Sequence, residues 1–217
     1  GQIAALTSGG IAALSTSQVG VLTTAQVNAL TTANIVALST AQVAALGTTQ
    51  LKALSNEQVA AIATDDIKAI STSNITALTT SQVQALSTAA VNALTTAQVV
   101  ALSTTQVSAL TTGEVSALST SQVAVLNTSQ VKVLSVDQLV AMSDAQVSAL
   151  TTTQIAALTT AQAVALTTDQ IKQLGTAQVA AFTTAQVAAL TTDQVSALSG
   201  TQVAKLETAD VAKLSTA

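Results

Sequence analysis

The sequence predicts an all-α solenoid of very short capped helices, one per eight-residue repeat. Three observations predict it. An eight-residue period runs from Gly1 to the end without a slip, dividing the 217 residues into 27 octads with Ala217 left over. Each octad carries the chemistry of a helix start. The few charges sort by sign along the octad.

A typical octad is AQVAALTT, residues 185–192. Position 3 is Val, Ile or Leu everywhere except Ala163, and position 6 is Leu except at Ile62, Ile70, Met142 and Phe182. Position 7 is Ser or Thr in 22 of 27 octads, and position 2 is Gln in 20, so the pattern is regular enough to read position by position. One continuous helix is excluded: eight residues advance about 800°, roughly 80° past two turns, so no apolar stripe persists. A β-solenoid is the alternative. It would put positions 3 and 6 on opposite faces of a strand, and Ala and Gln are poor strand formers.

A helix restarted in every octad accounts for each position. Position 7 is the N-cap, whose hydroxyl accepts a hydrogen bond from an otherwise unpaired N–H of the first turn. The exceptions are Gly47, Ala63, Asn127, Gly175 and Glu207. Gly and Asn are also favoured caps, so only Ala63 and Glu207 break the rule. Position 2 falls three residues after the cap and completes a capping box, as in Thr183-Thr184-Ala185-Gln186. Positions 6 and 3 flank the cap as a hydrophobic staple, pairing Leu190 with Val195 and Phe182 with Val187. Positions 3 and 6 form the buried stripe, and the Ala common at position 5 suits close helix contact. Positions 1 and 4 face away, and position 8, usually Thr, lies on the exposed side or at the corner.

The charges agree. Glu57, Asp65, Asp66, Glu114, Asp137, Asp169, Asp193 and Asp210 occupy the first helical turn, and all six Lys lie near the helix end. That is the order a helix dipole favours. Asp65–Lys68, Asp169–Lys172 and Asp210–Lys213 are also spaced as i,i+3 pairs. Asp144 and Glu207 stand outside this pattern.

One octad buries too little to offset the ordering of its own backbone, so stacked neighbours must supply the rest. From Ser39 to Ser135 every alternate octad has Ser at position 7. A coil of two octads explains this, and so does duplication of a 16-codon unit. Two octads per coil would give about 13 coils and a rod on the order of 100–130 Å at the usual spacing of packed helices. No linker or composition shift interrupts residues 1–217, so the domain reading is a single array, cut from a longer chain.

Composition excludes much chemistry. Only 7% of residues are charged, and Cys, His, Arg, Pro, Trp and Tyr are all absent. There is no disulfide or thiolate site, no imidazole base and no basic footprint for nucleic acid. Mean hydropathy is positive at +0.57, yet no apolar run approaches the roughly 20 residues of a spanning helix. No signal peptide is visible.

No residue is assigned a catalytic, cofactor-binding or metal-binding role. Asp65-Asp66 is read as two first-turn acids, because calcium takes about six to eight oxygens. Lys172 and Lys205 are read as surface lysines, since a nucleophilic lysine needs a burying pocket. The sequons Asn74-Ile75-Thr76 and Asn127-Thr128-Ser129 are read as accidents of a Thr- and Ser-rich chain. The Thr rows and the Gln row are read as capping. Phe182, Met142 and Ala163 are placed in the core, with Val164 compensating for Ala163.

Two resemblances arise. The stretch Leu54 to Ala63, LSNEQVAAIA, resembles the first helix of plant-pathogen TAL-effector repeats. That family has a longer repeat, a base-reading loop and a basic surface that this chain lacks, so the likeness is one of capping chemistry. The whole array resembles the Thr-Ala-Gln-Val-x-Ala-Leu-Thr tracts of very large proteobacterial surface or secreted repeat proteins, regarded as adhesins or matrix components. This resemblance implies an extracellular or cell-surface structural protein: a stalk, spacer or filament segment. Zero cysteine fits that setting. The expectation is a non-enzyme with no cofactor and no membrane insertion, associating with itself end to end or laterally because a net charge of −4 repels little. The alternative function is a repetitive Thr-rich surface that binds ice or glycan.

Overall fold

The computed structural model describes residues 3–214. Among these it is helical throughout, with one 3-10 turn (Ile3–Ala5), 26 α-helices of four to six residues, and no strand. The β-solenoid alternative is thereby set aside.

Every α-helix, from Ser8–Ala12 to Thr208–Val211, begins at position 8. The residue before it is extended, with φ between −62° and −82° and ψ between 150° and 171°. That backbone ends one helix and positions a side chain to cap the next. The stop is equally local. The N–H of position 6 donates to the carbonyl of position 3, as from Leu54 to Leu51 and from Leu118 to Val115, both at 3.2 Å. Leu54 and Leu118 then become extended (ψ 140° and 138°). Two consecutive extended residues, positions 6 and 7, thus turn each corner. No described residue has a positive φ, so no corner depends on glycine.

The core is the two predicted positions plus one more. Val43, Val59 and Leu139 at position 3, and Leu46, Ile62 and Met142 at position 6, are buried. Position 2 is buried too, with Gln42, Gln98 and Gln130 almost wholly removed from solvent. Positions 1, 4 and 8 are mostly exposed and position 5 is mostly half-buried.

The chain forms two compact units, Gly1–Leu110 and Thr111–Ala217. Within each unit, helices pack on their third neighbours. In the first unit Thr24–Asn28 packs on Thr48–Ala53, and Thr80–Gln84 on Thr104–Ala109. In the second, Asp144–Ser148 packs on Thr168–Gln173, and Thr160–Ala165 on Thr184–Ala189. The side-chain bonds between coils span 28 and 31 residues, as from Gln154 to Leu126 and Val123. A coil therefore takes about three and a half octads, not two. The two-octad coil and the length derived from it do not hold. The alternation of Ser is not a coil repeat.

Candidate functional site

The recurrent feature of this molecule is a clamp, and glutamine makes it. In Gln154 the side-chain carbonyl accepts the N–H of Thr151, its own N-cap, at 2.6 Å. The Thr151 hydroxyl in turn accepts the N–H of Gln154 at 3.2 Å. That completes the capping box. The amide nitrogen of Gln154 is still unspent, and it reaches the previous coil. It donates to the carbonyls of Val123 (2.9 Å) and Leu126 (2.6 Å), at the end of another helix.

The same geometry recurs in both units. Gln50 donates to Val19 and Leu22, each at 2.8 Å. Gln98 donates to Ile67 and Ile70, each at 2.7 Å. Gln146 bridges Val115 and Leu118, and Gln186 bridges Ile155 and Leu158. A short helix has unpaired N–H groups at one end and unpaired carbonyls at the other. One glutamine satisfies the start of its own helix and the end of a helix one coil earlier. Because the amide is buried, these bonds lie where an unpaired polar group is costly.

The departures from Gln calibrate the reach. Asn34 and Asn74 are one methylene shorter. Each donates only to the nearer carbonyl, 28 residues back: Leu6 at 3.3 Å and Leu46 at 2.8 Å. Asp66 has no donor; it accepts the Thr40 hydroxyl at 2.6 Å instead. Glu114 keeps the capping box with Thr111, but its Oε1 is buried without a hydrogen-bond partner.

Reading the Gln row as capping alone was incomplete, and a signal for the second role was present. A capping box needs only an acceptor, which Glu supplies as well as Gln. The helix dipole favours Glu at that point. Yet position 2 holds 20 Gln and one Glu, an excess that a donor-requiring partner explains.

The other singled-out residues fall as follows. Asp65 pairs with Lys68 at 3.0 Å and Asp169 with Lys172 at 2.9 Å, all with mostly exposed side chains. The expected Asp210–Lys213 pair is not among the ion pairs; Asp210 is buried and accepts the N–H of Glu207 at 3.2 Å. No cluster of three or more metal-ligating side chains occurs among the described residues. Lys205 is exposed. Asn74 spends its amide on Leu46, while Asn127 is an exposed N-cap accepting the N–H of Gln130 at 2.9 Å. Ala63 and Glu207 make no side-chain cap bond, and neither do Gly47 and Gly175, whose N–H groups still reach Gln50 and Gln178. Met142, Phe182 and Ala163 are buried. Val164 does not fill the space beside Ala163: it sits at outward position 4 and is 37% exposed. A shallow cavity has Val187, Leu190, Val195 and Leu214 among its walls, and no lining residue ionises. No described helix is long and apolar enough to cross a membrane.

A family model described as the ALTTAQ repeat matches at residues 1–32, 28–56, 59–96, 83–112, 112–144, 131–160, 144–176 and 163–200. No curated protein matches the chain.

Proposed function

The chain belongs to the ALTTAQ repeat family, and from that premise we propose that it serves as a non-enzymatic spacer: a stalk or filament segment of a bacterial surface or secreted matrix protein. The observation that carries this reading is the clamp. Gln50, Gln98, Gln154 and their counterparts within each unit bind their own octad and an octad one coil back through main-chain carbonyls, which every residue type offers. Any octad can therefore occupy any place in the array. Repeat number becomes a free variable, and repeat number sets reach. The positions left to solvent are mostly small side chains with few charges, broken by single exposed valines such as Val21 and Val36. Lateral self-association belongs to the same proposal, with exposed Val136, Val140 and Val164 in the second unit as the apolar contacts.

The test is to build arrays of 18, 27 and 36 octads and measure the longest dimension by small-angle X-ray scattering. Linear growth of about 8–10 Å for each added 28-residue coil is the expected result. A dimension that grows as the cube root of length, as for a globule, would defeat the spacer reading.

The second reading is a Thr-rich surface that binds ice or glycan. Its support is the exposure of Thr at position 8, as at Thr16, Thr24 and Thr32. Against it, coils offset by 28 residues do not bring equal positions of an eight-residue period into line. A clear thermal hysteresis in the 27-octad array would move this reading to the front.

A further inference from the structure

The clamp row begins with donors unspent. In the first unit, the side-chain carbonyls of Gln18 and Gln26 accept the N–H groups of Ser15 and Thr23 at 2.7 and 2.8 Å. Their amide nitrogens bind nothing among the described residues. Gln18 is exposed and Gln26 half-buried, whereas Gln50 and Gln58, later in the same unit, are buried with both ends of the amide engaged. Leu14 and Leu22 are half-buried as well, whereas Leu38 and Leu46 are buried.

The last coil of the second unit shows the complement. The carbonyls of Leu206 and Leu214 accept no hydrogen bond among the described residues. Leu174, at the same octad position, accepts the Gln202 amide at 2.8 Å. At position 3, Val203 and Val211 are 39% and 48% exposed, whereas Ile171 and Val179 are wholly buried. The cavity walled by Leu190, Val195 and Leu214 opens in this coil.

The two sets match in spacing: Gln18 and Gln26 stand eight residues apart, as do Leu206 and Leu214. Charge does not oppose their meeting. No charged residue precedes Lys52, and in residues 201–216 two Lys offset Glu207 and Asp210. Any array of these octads has the same two unlike faces, whatever its length.

We propose that the first coil of one copy docks on the last coil of a second copy, with the Gln18 and Gln26 amides donating to the helix ends at Leu206 and Leu214. The bond that ties coil to coil within a unit then ties copy to copy, and the half-buried and exposed apolar side chains of the two faces close over one another. The contact joins unlike faces, so copies add in series. This names a partner for the spacer reading and rests on it.

The experiment is sedimentation velocity of the whole chain over a wide range of concentration, beside two double variants. Gln18→Glu with Gln26→Glu keeps both cap acceptors and removes both donors. Val203→Glu with Val211→Glu sets charges on the opposite face, and Val211→Glu alone replaces that pair if circular dichroism shows a loss of helix. The parent chain should form a growing series of oligomers, and each variant should associate about 10–100-fold more weakly. An equal mixture of the two variants should form pairs and nothing larger, because each keeps the face the other has lost. A parent chain that stays monomeric overturns the proposal. So do variants that associate as tightly as the parent, and so does a mixture that forms no pairs. The spacer reading fails separately, in the dimensions of single arrays at low concentration.

Discussion

A single glutamine decides how far the fold can spread. Capping alone is a local act over three residues and would leave each short helix indifferent to its neighbours. The Nε2 of Gln154 joins that local act to carbonyls 28 and 31 residues away. Removing it should cost more than an ordinary surface polar residue. Gln154→Ala strands the Thr151 N–H and the Leu126 carbonyl together, for an expected loss of about 2–5 kcal/mol in chemical denaturation. Gln154→Glu separates the two roles. It keeps the acceptor for Thr151 and loses the donor for Val123 and Leu126. This variant should be destabilised at neutral pH and recover part of the loss in acid, while Gln154→Ala should not recover. Equal pH profiles for the two variants would show that the donor is unimportant.

At the scale of the helix, stability should follow how completely each start and end is satisfied. The helices Thr64–Ile67 and Thr72–Ile75 are only four residues long, and neither closes a capping box. Ala63 has no hydroxyl to offer, and Asp66 and Asn74 are too short to act as a full clamp. Hydrogen exchange should find this stretch opening first within its unit. The amides of Ile67 and Ile75 should exchange faster than those of Val43 and Leu51. Ala63→Ser supplies the missing cap acceptor for the Asp66 N–H. It should add about 1 kcal/mol, read as a melting temperature about 2–4 °C higher. An unchanged melting temperature together with unchanged exchange would mean that the cap is not what limits this segment.

For the molecule as a whole, the arrangement depends on register and not on the identity of any octad. Deleting residues 153–160 removes one octad and leaves every later Gln facing a position 3 and a position 6. Helicity per residue should stay the same, and the melting temperature should change only slightly. Deleting residues 153–156 removes half an octad. The Gln residues just after the cut then face position 2 instead of position 6, with no end-of-helix carbonyl to bind. Circular dichroism should record a marked loss of stability for the shorter deletion and little for the longer one. The reverse order would contradict a clamp set by register.

Much of this was legible in the sequence because it is local. The octad, the start of each helix at position 8, the caps at Ser and Thr, and the buried pair at positions 3 and 6 all follow from contacts within a few residues. So do the isolated failures at Ala63 and Glu207. The offset between coils was not legible. Every octad is alike, so any number of them per coil satisfies the same pattern. Only the angle at each two-residue corner and the packing of third-neighbour helices choose the 28-residue step. That step in turn decides what lies opposite position 2. It converts Gln from a cap into a tie between coils.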